Sequence, residues 1–221
     1  MTQSLPGGRF AGGITLLSGL FSRLCLSCRQ PSGSGSLCIP CREDPAWLVP
    51  VSLSARGGIP TRSLFPDEGA PGRLFRVAKF SGNRHALDLL LDRGDLFGLR
   101  PPTASLLLPV PPGRSRLISR DLSVPDILAH RLSLGEIPIC LKGLRRTGKS
   151  SQKGRTRQAR REAFFSPHFS LDPGAFSGLP PRGVVIVDDL LVTGWTARAI
   201  VRLLALSGVE VGTIVTLLHR S

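Results

Sequence analysis

The sequence predicts an α/β fold, a parallel sheet flanked by helices, with a small cysteine-bearing module at the N-terminus. Three observations carry this expectation. The apolar runs SLLLPV (Ser105–Val110), IPICL (Ile137–Leu141) and VVIV (Val184–Val187) have the length and composition of strands buried on both faces. Stretches with helical spacing separate them, and strand–helix alternation is the mark of a parallel sheet. Ahead of these runs, CLSC and CIPC place four cysteines within a short span.

The elements follow in order. Residues 1–50 read as the cysteine module and its lead-in, with a short amphipathic helix over Ile14–Leu24. Residues 51–73 are rich in Gly, Pro and Ser and read as an irregular linker. Residues 74–221 form the main domain. There, Leu74–Phe80 is a short element before a turn at Ser81–Asn83, and His85–Asp95 has helical spacing at Leu87, Leu90 and Leu91. Prolines end the strand at Ser105–Val110. Asp121–Leu134 reads as a helix, started by Ser123 and Pro125 and stopped by Gly135. Cys140 sits in the next strand as a buried residue, a basic loop spans 142–155, and Gly154–Phe165 reads as a helix. Val184–Val187 is the clearest strand. Gly194–Leu206 is a helix with Ala197, Ile200, Val201 and Leu204 on one side, and Glu210–Leu218 is the last strand. A chain of 221 residues with 41% hydrophobic content supports one main core of roughly 150 residues plus an appendage.

The formal net charge is +14, and only Lys79, Lys142, Lys149 and Lys153 among the 29 basic residues are lysines. Such a chain attracts anions, whether nucleotides, nucleic acid or anionic lipid. An arginine-rich composition alone would give the same excess. No run of 18 apolar residues is present, so no membrane-spanning helix and no stable membrane insertion are expected. The apolar stretch Phe10–Leu20 is Gly-rich and soon interrupted by Arg23, unlike a secretory signal, and a cytoplasmic location is expected.

Cys25, Cys28, Cys38 and Cys41 have the spacing C-x2-C-x9-C-x2-C. Each C-x2-C turn sets two thiolates on one side of a knuckle, and two knuckles complete a tetrahedral four-sulfur site for Zn2+. With every position filled by protein, the metal is structural. Two disulfides or a redox dithiol are the competing readings. A cytosolic chain argues against the first, and the pairing of the motifs argues against the second.

After VVIV come Asp188, Asp189, Leu190, Leu191, Val192, Thr193, Gly194, Trp195 and Thr196. In an open α/β sheet this is where ligands bind, beyond the carboxyl ends of the strands. Amides of a turn at a helix start converge on a phosphate, Thr193 and Thr196 add hydroxyls, and Gly194 permits close backbone approach. The two carboxylates can accept hydrogen bonds from vicinal ribose hydroxyls. Ordinary helix capping would explain either half alone.

These segments together resemble the ComF family, a zinc-knuckle branch of the type I phosphoribosyltransferase superfamily. The resemblance covers nearly the whole chain. It rests on the paired C-x2-C knuckles, on AKFSGNRH (Ala78–His85), on PVPP (Pro109–Pro112), on Arg146-Thr147 followed by Gln152 and Arg160, and on VDDLLVTGWT. The family's usual residues are replaced at Ala78, Asp121–Val124, Ala163 and Val192. The resemblance implies a type I phosphoribosyltransferase-like sheet and binding of phosphoribosyl diphosphate (PRPP) or a related ribose phosphate, with Mg2+ accompanying PRPP. Transfer of the phosphoribosyl group and binding alone both stay open. It further implies Asp188 and Asp189 on the ribose hydroxyls, Val192, Thr193, Gly194, Trp195 and Thr196 around the 5′-phosphate, and Arg120 and Lys142 on the diphosphate side. The family's association with DNA uptake in natural competence implies single-stranded DNA and the uptake machinery as partners.

Between Lys142 and Arg161 stand nine Lys or Arg and no acidic residue. Arg145, Arg146, Lys149, Lys153 and Arg155 are candidates for tracking a nucleic-acid backbone, and Phe164 and Phe165 could stack on bases. The same stretch could close over diphosphate, or be a solvated basic loop. Gly143 to Ser150 also matches the spacing of a P-loop, though bulky residues fill its middle.

Overall fold

The computed structural model describes residues 23–56, 58–112, 122–147, 169–176 and 183–220. Five strands form the main sheet: β1 (Ser52–Arg56), β2 (Ile59–Pro66), β3 (Leu106–Pro109), β6 (Val184–Leu191) and β7 (Val211–His219). Their order is β1-β2-β7-β6-β3. The last four are mutually parallel, and β1 runs antiparallel to β2 at the edge. Two further strands, β4 (Leu144–Arg146) and β5 (Phe169–Leu171), form a separate antiparallel pair.

The helices are α1 (Ile39–Arg42), α2 (Gly69–Ser81), α3 (Arg84–Arg93), α4 (Leu96–Leu99), α5 (Val124–Ser133) and α6 (Trp195–Leu206). They cover both faces of the sheet, as a sheet apolar on both sides requires. One core cluster joins Val185, Val187, Val215 and Leu217 to α2, α3, α5 and three of the four N-terminal cysteines. The other joins Val184, Ile186 and Ile214 to Ala197, Ile200 and Leu204 of α6, and to Leu144 and Phe169 of the hairpin. Odd and even residues of β6 thus face different layers, because successive side chains of a strand point to opposite sides.

The α/β expectation holds, and α3, β3, α5, α6 and β7 stand close to where the pattern puts them. Four local readings need correction. Residues 51–73 are not irregular: they hold β1, β2 and the start of α2. Pro60 and Pro66 lie at strand ends, where a missing N–H does little harm. The buried Thr61 and Ser63 break the apolar pattern of β2, and Ser63 Oγ is satisfied by Thr216 Oγ1 at 2.7 Å. Leu74–Phe80 is the body of α2, whose Pro71 sits in the first turn, where proline is tolerated. Ile137–Leu141 makes only a one-residue bridge, Ile139 with Leu107, since Pro138 has no N–H to extend it. Finally, residues 144–146 are a strand, with Leu144 opposite Leu171 and Arg146 opposite Phe169. An extended strand does not wrap a phosphate as a P-loop does, which counts against the P-loop reading. The predicted helices Ile14–Leu24, in large part, and Gly154–Phe165, with Phe164 and Phe165, lie outside the described residues.

Candidate functional site

The site forms where β6 outlasts its neighbour β3. Val110 N–H donates to Val187 O (2.8 Å). Pro111 and Pro112 then bring no donor, so β3 peels away while β6 continues through Leu191. VVIV is thus only the first half of the strand, and the acidic pair lies inside it. Asp189 N–H is taken by Asp188 Oδ1 at 2.8 Å.

Because the two aspartates are adjacent in a strand, they face different layers, and each meets a cation from its own side. On the α2 side, Lys79 Nζ lies 2.6 Å from Asp189 Oδ2, with both side chains less than one-fifth exposed. Lys79 Nζ also sits 5.0 Å from the Phe75 ring centroid. On the hairpin side, the positive charge of Arg146 acts on Asp188, with its guanidinium 4.9 Å from the ring of Phe169. Asp188 is opposite Thr216, which is opposite Ser63, so a polar row crosses β2, β7 and β6 on one face.

Asp188 is pushed up from 3.8 to about 7. Burial is the main cause and the Asp189 charge the second, opposed by the Asp189 N–H and by the charges of Lys79 and Arg146. A carboxyl raised this far can hold a proton near neutrality.

Beyond Leu191 the chain turns through Val192, Thr193 and Gly194 into α6. Gly194 is the N-cap with φ 72°, a left-handed conformation that glycine adopts without strain. Its carbonyl accepts Arg198 N–H at 2.9 Å. Val192, Thr193 and Trp195 are exposed and Thr196 is half-buried. The Trp195 side is open to solvent, with the Arg198 guanidinium 5.3 Å from its ring. This helix start, with Thr193 and Thr196, follows the acidic pair directly in the chain, and the amides of a helix start attract anions.

The other expected residues fall as follows. Lys142 is exposed on the approach to β4. Arg145 is also exposed and pairs with Asp172 at 2.9 Å. Arg120, Lys149, Lys153 and Arg155 lie outside the described residues. Lys79 is the residue that pattern reading passed over. Its signal was the AKFSG segment, whose lysine is otherwise unremarkable on a helix. Asp67, at the carboxyl end of β2, is a second such residue: its nearly buried carboxylate binds Arg76 (2.8 Å) and Arg220.

The four cysteines converge at the other end of α2. Their sulfurs all lie within 4.8 Å of one another, and no two are joined. A tetrahedron with metal–sulfur bonds of about 2.3 Å has edges of roughly 3.8 Å, so the set fits Zn2+ or a similar ion. The knuckle is preformed by its backbone: Cys25 N–H donates to Gln30 O (2.8 Å), Arg29 N–H to Cys25 O (2.9 Å) and Leu26 N–H to Ser36 O (2.9 Å). Trp47 Nε1 donates to Cys41 O at 2.8 Å. Burial acts to raise Cys25, yet backbone N–H groups of Cys28, Cys38 and Ser27 hold it down at about 6. At Cys28 a backbone hydrogen bond at Gln30 favours the thiolate. Burial and the sulfurs of Cys38, Cys41 and Cys25 outweigh it and push that thiol up to about 12. Sulfurs so close together ionise jointly only around a cation.

No family model matches the chain. Over 153 residues, 66% of this chain and 72% of the other, it is 29% identical to the adenine phosphoribosyltransferase of Chelativorans sp. (strain BNC1). That similarity supports the phosphoribosyltransferase superfamily. The four parallel strands with helices on both faces agree with it. Among the described residues, no helix is long and apolar enough to cross a membrane.

Proposed function

We propose that this is a phosphoribosyltransferase-like protein of the ComF family that binds PRPP or a related ribose phosphate at the carboxyl end of β6. The observation that carries the reading is an acidic pair in the carboxyl-terminal half of an interior parallel strand, followed by a glycine-capped helix start, in a chain similar to a phosphoribosyltransferase. Asp188 and Asp189 accept hydrogen bonds from the ribose hydroxyls. The amides of Val192–Thr196 and the hydroxyls of Thr193 and Thr196 hold the 5′-phosphate.

Transfer would break the bond between the anomeric carbon and diphosphate, which leaves with the electron pair as positive charge grows on the sugar. Mg2+ bound with PRPP supplies charge neutralisation to that leaving group. The protein's own part is to place carboxylate charge under the sugar and cations along the same strand ends. Lys79, Arg76 and Arg220 are described there, with Arg120 and Lys142 as the further candidates from sequence.

Calorimetry with PRPP and Mg2+ tests this. Binding by the native chain, weakened about tenfold or more in Asp188→Asn by loss of charged hydrogen bonds, is the expected result. Absence of binding, or equal affinity in both proteins, overturns it.

A second reading is supported by the half-exposed Trp195 faced by Arg198. An aromatic platform with a guanidinium suits bases of single-stranded DNA, with Lys142, Arg145, Arg146, Lys149, Lys153 and Arg155 following the backbone. This would connect a cytoplasmic protein to the DNA-uptake machinery. Gel-shift affinity should then fall steeply with salt and drop in Trp195→Ala. Binding that ignores salt, or is undetectable, removes this reading.

A further inference from the structure

α2 joins two sites. Its first turns are fastened to the cysteine knuckle. Asp44 Oδ2 accepts Ala70 N–H at 2.8 Å and lies 3.4 Å from Arg73 Nη2. Arg73 Nε donates to Ser27 Oγ at 3.0 Å, and its Nη2 reaches Cys41 Sγ at 3.6 Å. Ser27 sits between two of the cysteines in sequence, and its hydroxyl also lies 3.5 Å from Ala70 O. The approach is close. Gly69 has φ 57°, and a Cβ there would fall 2.6 Å from Asp44 Oδ1.

Six residues beyond Arg73, about 9 Å of helical rise, Lys79 meets Asp189. Between the two ends α2 is packed solid, with Ala70, Leu74, Phe75 and Ala78 all at or below 2% exposure. A helix held this way moves as a unit, because close-packed cores do not absorb local shifts. Four thiolates around a divalent ion leave a net negative charge. A guanidinium on one of those sulfurs is the complement that such a centre calls for.

We infer that Arg73 is a positioning residue: by tying α2 to Cys41, Ser27 and Asp44, it makes metal occupancy of the four-cysteine cluster set the placement of Lys79 on Asp189. The effect of that placement on a ligand rests on the ribose-phosphate reading. The placement itself does not.

Two measurements on the full chain separate these. The first needs no ligand: the rate at which an amine-reactive reagent acylates Lys79, read by peptide mass spectrometry, with metal content measured by elemental analysis. Native protein with metal bound should protect Lys79, and chelation should raise the rate about tenfold, the signature of a local opening. Arg73→Ala should retain its metal and still show that rise. Ser27→Ala, which keeps every cysteine and the Arg73 charge, should move Lys79 in the same direction by less. An unchanged Lys79 rate after chelation, or in metal-loaded Arg73→Ala, overturns the inference. Should Arg73→Ala fail to fold or to hold metal, an unchanged rate in Ser27→Ala overturns it instead. The second measurement is PRPP calorimetry. Arg73→Ala should weaken binding about tenfold, and adding Lys79→Ala should cost nothing more, since both remove one interaction. Additive losses count against the coupling. If the native protein binds no PRPP, the ribose-phosphate reading fails while the labelling result still stands.

Discussion

Replacing Asp188 by Asn should stabilise the ligand-free protein at alkaline pH while weakening its ligand binding. The carboxyl is carried from 3.8 to about 7, by burial first and by Asp189 second. A raised carboxylate binds its proton more tightly folded than unfolded, so its contribution to stability is greatest at low pH. That contribution is lost as pH rises from about 4 to about 7. Each tenfold in proton affinity is about 1.4 kcal/mol, which sets a ceiling on the order of 4 kcal/mol. Relaxation of the surroundings around the buried charge brings the expected penalty to about 2 kcal/mol. Asn keeps the shape and can still accept the Asp189 N–H. Urea unfolding with the metal in excess should show Asp188→Asn more stable by about 2 kcal/mol at pH 8, roughly a 1 M shift in midpoint. Near pH 4 the two proteins should unfold together. A variant equally or less stable at pH 8, or a difference that does not change with pH, would refute burial and charge repulsion as the cause.

Three further outcomes are expected. Lys79→Ala leaves Asp189 without its 2.6 Å partner and should cost about 1–3 kcal/mol of stability in urea. Cys38→Ser, or a strong chelator, should release close to one equivalent of metal per chain and lower the thermal midpoint, because Leu37, Cys38 and Cys41 belong to the same core as α2. Gly194→Ala forces a side chain into the left-handed region at φ 72°. It should cost about 1 kcal/mol in unfolding experiments and weaken phosphate binding in calorimetry.

The β6–turn–α6 unit was legible because each of its signals is local: an apolar run, an acidic pair, a glycine and a helical stripe. The cysteine cluster was legible for the same reason. β2 was not, because its buried Thr61 and Ser63 are polar residues whose partner lies across the sheet. The β4–β5 hairpin was missed because Leu144 finds Leu171 only after a long intervening segment. Pattern and propensity report what a residue does with its near neighbours. Lys79 and Asp67 act through partners far along the chain, and an exposed-looking lysine in a helix carries no mark of that.

What the fold adds is the division of labour within Asp188-Asp189. Adjacent carboxylates read as an interchangeable pair in sequence. Strand geometry makes them unequal: Asp189 is ion-paired with Lys79 from α2, and Asp188 feels the charges of Lys79 and, less, of Arg146 from the hairpin. The first contact is a 2.6 Å ion pair. The charges acting on Asp188 do not cancel its burial, and so Asp188 keeps its proton to higher pH. A sugar diol arriving here therefore meets an ion-paired Asp189 and, in Asp188, a carboxyl that can still donate near neutrality. Binding of a ribose phosphate should then release a fraction of a proton near pH 7, since hydroxyls that donate to Asp188 favour its ionised form. Calorimetry in buffers of different ionisation enthalpy reads this directly. Release that vanishes in Asp188→Asn assigns the proton to Asp188, and release that persists there assigns it elsewhere and removes this account of the pair.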